Sequence, residues 1–374
     1  MMPSEKHRIS AANRFGWDYR LLAASLPPAP VPIIDAHTHI TGPNAAPIYD
    51  EVRRRFGVTL TYSMTQLAQA APVRDLLGPS IRFIAFPSFG DPDKNRSHRA
   101  GYIETIEKFR TDFDSRILKL WGSPRLRDFI PDVKEAAYGA TDIVEIDSPW
   151  RIKACELGEK LGMMYMIHIA DPDTWFATKY ADSARYGTKR QQYEGFERML
   201  DRFTNPWIAA HMGGWPEDLA FLDGLLTRHP NLHLDTSAMK WQVREISKHP
   251  KAEAVAFFTK WGLAGRLLFG TDIVVTEDHL QKQKTGPSPM GDLADSPESA
   301  WELYASRYWC LRTMLESNYD AESPVADPDL AMVDPATHTP MSAPHLRGLS
   351  LPQQVLKELY HDAAARLVEG WWVR

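Results

Sequence analysis

Residues 33–40 read Ile-Ile-Asp-Ala-His-Thr-His-Ile. In an extended strand every second side chain points to the same side. The alternation places Asp35, His37 and His39 on one face and Ile34, Ala36, Thr38 and Ile40 on the other. Two imidazoles and a carboxylate on one face of a short strand are costly to bury. A divalent cation removes that cost, because neutral imidazole is a common nitrogen ligand for such ions. A single His there would be read as a satisfied core residue; Asp-x-His-x-His predicts a metal centre. The same chemistry recurs where other apolar runs end: at Lys119, His168, His211, Asp235 and Asp272.

Each of these residues needs an element to hold it. Strand-like runs occur at about 32–39, 59–63, 81–86, 116–121, 163–168, 207–211, 231–235 and 266–272. Helical patterns lie between them, at 47–56, 66–77, 98–113, 148–161, 191–203, 217–228 and 240–261. Ser148-Pro149 has the N-cap and first-turn chemistry of a helix start. Strands alternating with helices indicate a parallel sheet. Eight strands suffice to close a (β/α)8 TIM barrel, whose active sites lie at the C-terminal strand ends. A doubly wound open sheet would not bring the ends of strands one, five, six and eight to one point. The predicted architecture is an N-terminal arm, residues 1–30, followed by one barrel domain, residues 31–374, with long C-terminal loop insertions. Phe15, Trp17, Tyr19, Leu21 and Leu22 are the residues expected to pack the arm. Residues 318–350, rich in Pro and Asp, are expected to be mostly irregular, and 352–360 and 362–371 to close the chain as helices.

Composition narrows the function classes. Hydrophobic residues make up 44% of the 374, ample for a large core. The net charge of -5 provides no basic footprint for nucleic acid. No apolar run is long enough to span a bilayer. Nothing apolar follows the charged N-terminus, which points away from a secretory signal. Two cysteines, Cys155 and Cys310, exclude a disulfide scaffold or a thiolate metal site, and the expected setting is the cytoplasm. The expected partner is a small-molecule substrate, with a homo-oligomer left open. Several of the 12 Trp fall beside the polar motifs, where they could wall a substrate.

Taken in order, Asp35-Ala36-His37-Thr38-His39, Ile167-His168, Ala210-His211-Met212-Gly213-Gly214, Asp235-Thr236-Ser237-Ala238 and Phe269-Gly270-Thr271-Asp272 resemble the amidohydrolase superfamily. The resemblance is to its amidohydrolase-related group of metal-dependent hydrolases and carboxy-lyases, over about residues 32–370. It implies that His37, His39, His168 and Asp272 bind one divalent metal, Zn2+ first and Mn2+ second. His211 would be a further ligand or a catalytic hydrogen-bonding group, and Asp35 touches the metal in some carboxy-lyase relatives. Asp272 would be the proton acceptor. The lysine at the position of Lys119 is carbamylated in binuclear relatives; a substrate or structural role is expected here. The family often carries Asn-Ala-x-x-Leu near its C-terminus, where this chain has Asp362-Ala363-Ala364-Ala365-Arg366-Leu367.

The physical reading agrees with this set. Three imidazoles and a carboxylate leave a coordination position open for water. Asp171, Trp175 and Phe176 follow strand five, and Lys240, Trp241 and Arg244 follow strand seven. Asp171, Trp175, Lys240, Trp241 and Arg244 are candidate substrate contacts, Arg244 as a bidentate carboxylate holder. Their bland alternative is loop packing and local ion pairing. Asp235 reads as support for a ligand, and His233, two residues earlier, as a lesser pocket candidate. The reaction expected is hydrolysis of a C–N or C–O bond, with non-oxidative decarboxylation of a small unsaturated or aromatic acid as the alternative.

Overall fold

The computed structural model describes residues 8–284 and 290–373. Nine strands carry the body: β1 Ile33–Ile40, β2 Val58–Ser63, β3 Ile81–Phe83, β4 Ile117–Trp121, β5 Met164–His168, β6 Trp207–Ala209, β7 Leu232–Asp235, β8 Leu267–Leu268 and β9 Ile273–Val275. All their ladders are parallel, in two runs ordered β3-β2-β1-β9 and β4-β5-β6-β7-β8. Backbone hydrogen bonds join both seams. Ala85 donates to Ile117 O at 2.9 Å and Lys119 donates to Ala85 O at 2.7 Å, stitching the end of β3 to β4. Ala36 donates to Phe269 O and Asp272 to His37 O, both at 2.8 Å, stitching β8 to β1. The eighth strand is one interrupted run, β8 and β9, with Asp272 at the break in left-handed backbone (φ 59°). The ring closes as the (β/α)8 pattern requires.

Side chains sort into two layers. Ile34, Ile84, Ile117, Met164, Met166, Ile208 and Leu268 pack inside the ring. Ile33, Val58, Leu118, Tyr165, Ile167, Trp207, Leu234 and Phe269 face the surrounding helices. Strict alternation fails in β1. Between Asp35 and Thr38, three residues of β1 span what two cover on β2. This bulge shifts the phase by one. Ala36 then packs inside with Ile34, while His37 and His39 reach the cavity at the barrel mouth. Asp35 turns outward, away from its expected partnership with the histidines. It accepts hydrogen bonds from Tyr308 Oη at 2.8 Å, Thr271 Oγ1 at 2.7 Å, Thr271 N at 3.1 Å and His37 N at 3.2 Å. Burial pushes its carboxyl up to about 7 despite these donors.

Tyr308 lies on the helix Pro297–Glu316, started by a Ser296/Ser299 capping box and buried along most of its length. The run 240–261 is two helices, Met239–Ile246 and Lys251–Leu263. Pro250 starts the second and cannot continue the first. Residues 317–351 carry a hairpin, Asp320–Glu322 with His345–Arg347, and the short helix Asp329–Val333. The arm is partly helical, Tyr19–Ser25, and Trp17 packs on Trp309 at 5.2 Å. Leu21 is 69% exposed and does not take part. Arg14 N donates to Pro324 O and Ala326 N to Ala11 O, which clasps the arm to the insertion. At the other end of the barrel Ala363, Ala364 and Val368 plug the interior. No helix among the described residues is long and apolar enough to cross a membrane.

Tyr308→Phe keeps the ring, which stacks on Phe56 and Phe269, and removes one donor to a buried carboxyl. We expect a loss of about 1–3 kcal/mol, read as a lower urea midpoint at unchanged m-value. An unchanged midpoint would mean that Tyr308 does not hold Asp35.

Candidate functional site

A cavity of about 520 Å³ opens at the C-terminal strand ends, lined by Lys119, His168, Asp171, Trp175, His211, Lys240, Trp241 and Arg244 but not by Asp235 or His233. His37, His39 and Asp272 form its floor. Each offers one ligating atom within 4.8 Å of the others'. His37 Nε2 lies 3.5 Å and His39 Nε2 3.2 Å from Asp272 Oδ1.

His37 faces the floor through Nε2 because its other nitrogen is taken. Nδ1 donates to Asp235 Oδ2 at 2.8 Å. A ring held by a carboxylate on the far side is the usual support for a metal-ligating His, since it sets the tautomer and aims the lone pair. Burial, and then the neighbouring Lys119, depresses the His37 pKa, so the ring is neutral. Asp272 is half-buried, but the hydrogen bond from His39 and the nearby imidazoles hold it well below the usual carboxylate range. Two imidazoles and a firm carboxylate make a donor set that fits a divalent cation.

Asp235 ties this floor to the rest. Besides His37 it accepts from His211 N at 2.9 Å, Ser237 N at 3.0 Å and the Ser237 hydroxyl. Ser237 Oγ also lies 2.7 Å from His211 Nδ1. Since the hydroxyl proton goes to Asp235, His211 must donate through Nδ1, leaving Nε2 as a lone pair. His211 and Met212 hold left-handed backbone (φ 59° and 51°), as do Ala238 and Asp272. Such residues persist only where their surroundings enforce them, and here they gather at one site. β6 accordingly ends at Ala209, and His211 stands on the turn beyond it.

His168 stands apart from the other three expected ligands. Its Nε2 donates to Asp171 Oδ1 at 3.0 Å and its Nδ1 lies 3.1 Å from His211 Nε2. Both nitrogens are engaged, and binding a cation requires giving one contact up. Asp171 also accepts from Tyr180 Oη at 2.7 Å and from Ser123 Oγ. Burial opposes its ionisation, but the His168 charge and these donors outweigh it and bring Asp171 down to about 2. Lys119 Nζ is 3.5 Å from His37 Nε2, and burial lowers its pKa to about 8.

Phe86, Phe89 and Trp121 form an aromatic wall, with Phe89 5.3 Å from Trp121 and 6.1 Å from Phe86. Trp175 and Trp241 line the cavity and are also anchored, through Nε1 to Asp329 at 2.8 Å and Glu217 at 2.9 Å. Phe176 packs on Tyr180. Arg244 is more constrained than expected. Its Nε bonds Glu245 at 2.6 Å, and its Nη1 bonds Asp327 and approaches Asp329 at 3.5 Å. His233 lies in β7 beside Ile208, its Nδ1 unpartnered, and is not among the cavity residues. Sequence reasoning missed Ser237, two residues beyond Asp235, although its spacing was a signal. It also missed Tyr180, Arg307, Asp327 and Asp329, which sit in segments without motifs.

The amidohydrolase family model matches residues 147–369. No curated protein matches. Among solved structures, 2,6-dihydroxybenzoate decarboxylase from Rhizobium shares 13% identity over 73% of this chain and 98% of its own, with a TM-score of 0.40. A probable 2-pyrone-4,6-dicarboxylic acid hydrolase from Acinetobacter baumannii shares 10% over 90% and 99%, TM-score 0.44. Manganese-bound 5-carboxyvanillate decarboxylase from Novosphingobium aromaticivorans shares 10% over 92% and 96%, TM-score 0.41.

Asp235→Asn keeps the volume but weakens the grip on His37 Nδ1. We expect divalent-cation affinity to fall about 10–100-fold, measured by calorimetric titration of the folded protein. Unaltered affinity would remove Asp235 from the support of the floor.

Proposed function

The chain belongs to the amidohydrolase family, and on that premise we propose that it is a metal-dependent hydrolase of a C–N or C–O bond in a small carbonyl or carboxylate substrate. The observation that carries the reading is the meeting of His37, His39 and Asp272 beneath a walled cavity. One divalent ion, zinc first and manganese second, would be held by these three, with His168 as the fourth ligand once it yields a contact. When bound, the ion polarises a substrate oxygen and acidifies water.

Asp272 keeps its charge in a half-buried setting and sits at the floor. It takes the proton of the attacking water and passes it to the leaving group. His211, neutral because burial depresses its pKa well below the ordinary value, presents its Nε2 lone pair to the same space, where it accepts a hydrogen bond or a proton from water or substrate. Lys119, Asp171, Trp175, Lys240 and Trp241 contact the substrate. Arg244 joins them through the acids it holds in place. The helix-borne aromatic rings exclude water from the reacting face.

Non-oxidative decarboxylation is the second reading, and two observations favour it. Phe86, Phe89 and Trp121 offer flat apolar surface suited to a planar acid. His168, with both nitrogens engaged and Asp171 behind it, can carry the proton that must replace the departing carboxyl group.

Elemental analysis should find one divalent ion per chain, and His39→Ala should lose it. Intact-mass analysis should find Lys119 unmodified. Two ions per chain, or a carbamate on Lys119, would move the protein to the binuclear type. Asp272→Asn should lower kcat by about 10²–10⁴-fold. A panel of lactones, amides and aromatic acids, with carbon dioxide release as a separate readout, distinguishes the two reactions.

A further inference from the structure

Two cations on the cavity wall have no ion-pair partner in contact. Lys240, on the helix Met239–Ile246, and Arg307, on Pro297–Glu316, both line the cavity. Among the described residues neither has a carboxylate oxygen within 4.0 Å. Arg307 makes one hydrogen bond, from Nη1 to Ser306 Oγ at 2.9 Å. The other cations of this wall have partners of some kind: Arg125 lies over the Phe129 and Trp175 rings, and Lys119 Nζ faces His37 Nε2 at 3.5 Å. Arg244 is taken by Glu245 and Asp327, and Asp329 receives Trp175 Nε1.

Arg307 also bears on Lys240. Burial lowers the Lys240 pKa and Arg307 adds to this, against the opposing pull of Asp327 and Asp329, which lie beyond ion-pair distance. Burial brings the Arg307 guanidinium down to about 10, with no carboxylate among the groups that influence it. Like charges brought together in a poorly solvated cavity are unfavourable unless an anion joins them. A fold that saturates Arg244 and leaves this pair open has kept two cations for something that enters the cavity.

We propose that Arg307 and Lys240 form a receptor for an oxyanion of the substrate, a carboxylate or phosphate on a part of the molecule other than its reacting group. The inference rests on the reading of this cavity as the substrate site. The guanidinium supplies a two-toothed grip that sets orientation, and the ammonium supplies a second charge. Held there, the anion fixes which end of the substrate meets His37, His39 and Asp272. A substrate with two acidic or one acidic and one carbonyl function satisfies both ends of the cavity.

The test uses the full-length protein stripped of metal, so that the floor contributes nothing to anion binding. Tryptophan fluorescence, with Trp121, Trp175 and Trp241 on the wall, follows titration with isophthalate, phenyl phosphate and neutral isophthalamide. Wild type should bind at least one of the two anions, more weakly as salt rises, and the diamide at least tenfold less well. Preference between the anions identifies the source of the oxyanion. Arg307→Gln and Lys240→Met should each weaken anion binding tenfold or more, with Arg307→Lys recovering part of the loss. Melting temperature checks that each variant folds, and Lys240→Met decides alone if Arg307→Gln does not. Equal anion affinity in wild type and the folded variants, no anion binding by wild type, or equal binding of the diamide, would overturn the proposal. Because the titration is made without metal, its failure leaves the metal-dependent reading of the floor standing, which metal content and activity of His39→Ala test separately.

Discussion

The buried carboxylate of Asp235 is the interaction on which the site depends. It sits at the end of β7 and gathers donors from three parts of the chain: the His37 ring, the His211 backbone and both donors of Ser237. Burial opposes its ionisation, but the adjoining His37 ring and its hydrogen bond, and then His211 and Ser237, hold it far below the ordinary carboxylate range. An anion so firmly kept fixes the tautomer of His37. It also holds the left-handed turn that presents His211. Removing one partner from such a set leaves a charge without its solvation, which is why these residues act as a unit.

The neighbouring backbone is arranged to let this happen. A Cβ on Gly270 would meet His37 Cβ at 3.0 Å and Asp235 Cβ at 3.4 Å, so any larger residue there would press on both floor residues. The interruption at Asp272 turns its carboxylate towards the histidines. The walls come from elsewhere. Trp175 and Asp329 link the loop after β5 to the C-terminal insertion, while Trp241 and Glu217 link the loops after β7 and β6. A rigid floor thus carries a cavity whose sides are built from segments that differ in length and composition.

Much of this was legible in the sequence, because strand ends are marked by an apolar run followed by His or Asp. The barrel, the placement of His37, His39 and Asp272, and the support given by Asp235 all follow from that punctuation. The faces of β1 were not legible. A bulge is a property of the pairing between two strands, and alternation counted along one strand cannot show it. Asp35 therefore went to Tyr308 instead of the metal side. Pro250 was a visible break within 240–261 that helical periodicity on either side concealed. His168 illustrates a further limit: its position was clear, but its preference for Asp171 arises only when the loop folds back. Arg307 lay inside an apolar helix with no motif around it.

The order in which the chain becomes available has its own consequence. Asp35 is near the start, and its partner Thr271 lies 236 residues later. The arm is clasped by residues 324–326, which come later still. At synthesis rates of roughly 5–20 residues per second, β1 waits on the order of ten seconds or more for the strand that closes the ring. During that interval its histidines and the outward-turned Asp35 have no native partners from the last strand. A ribosome-bound chain therefore carries an unsealed sheet edge for most of its synthesis, a state that chaperones recognise and that a thermodynamic description of the finished barrel leaves out of view.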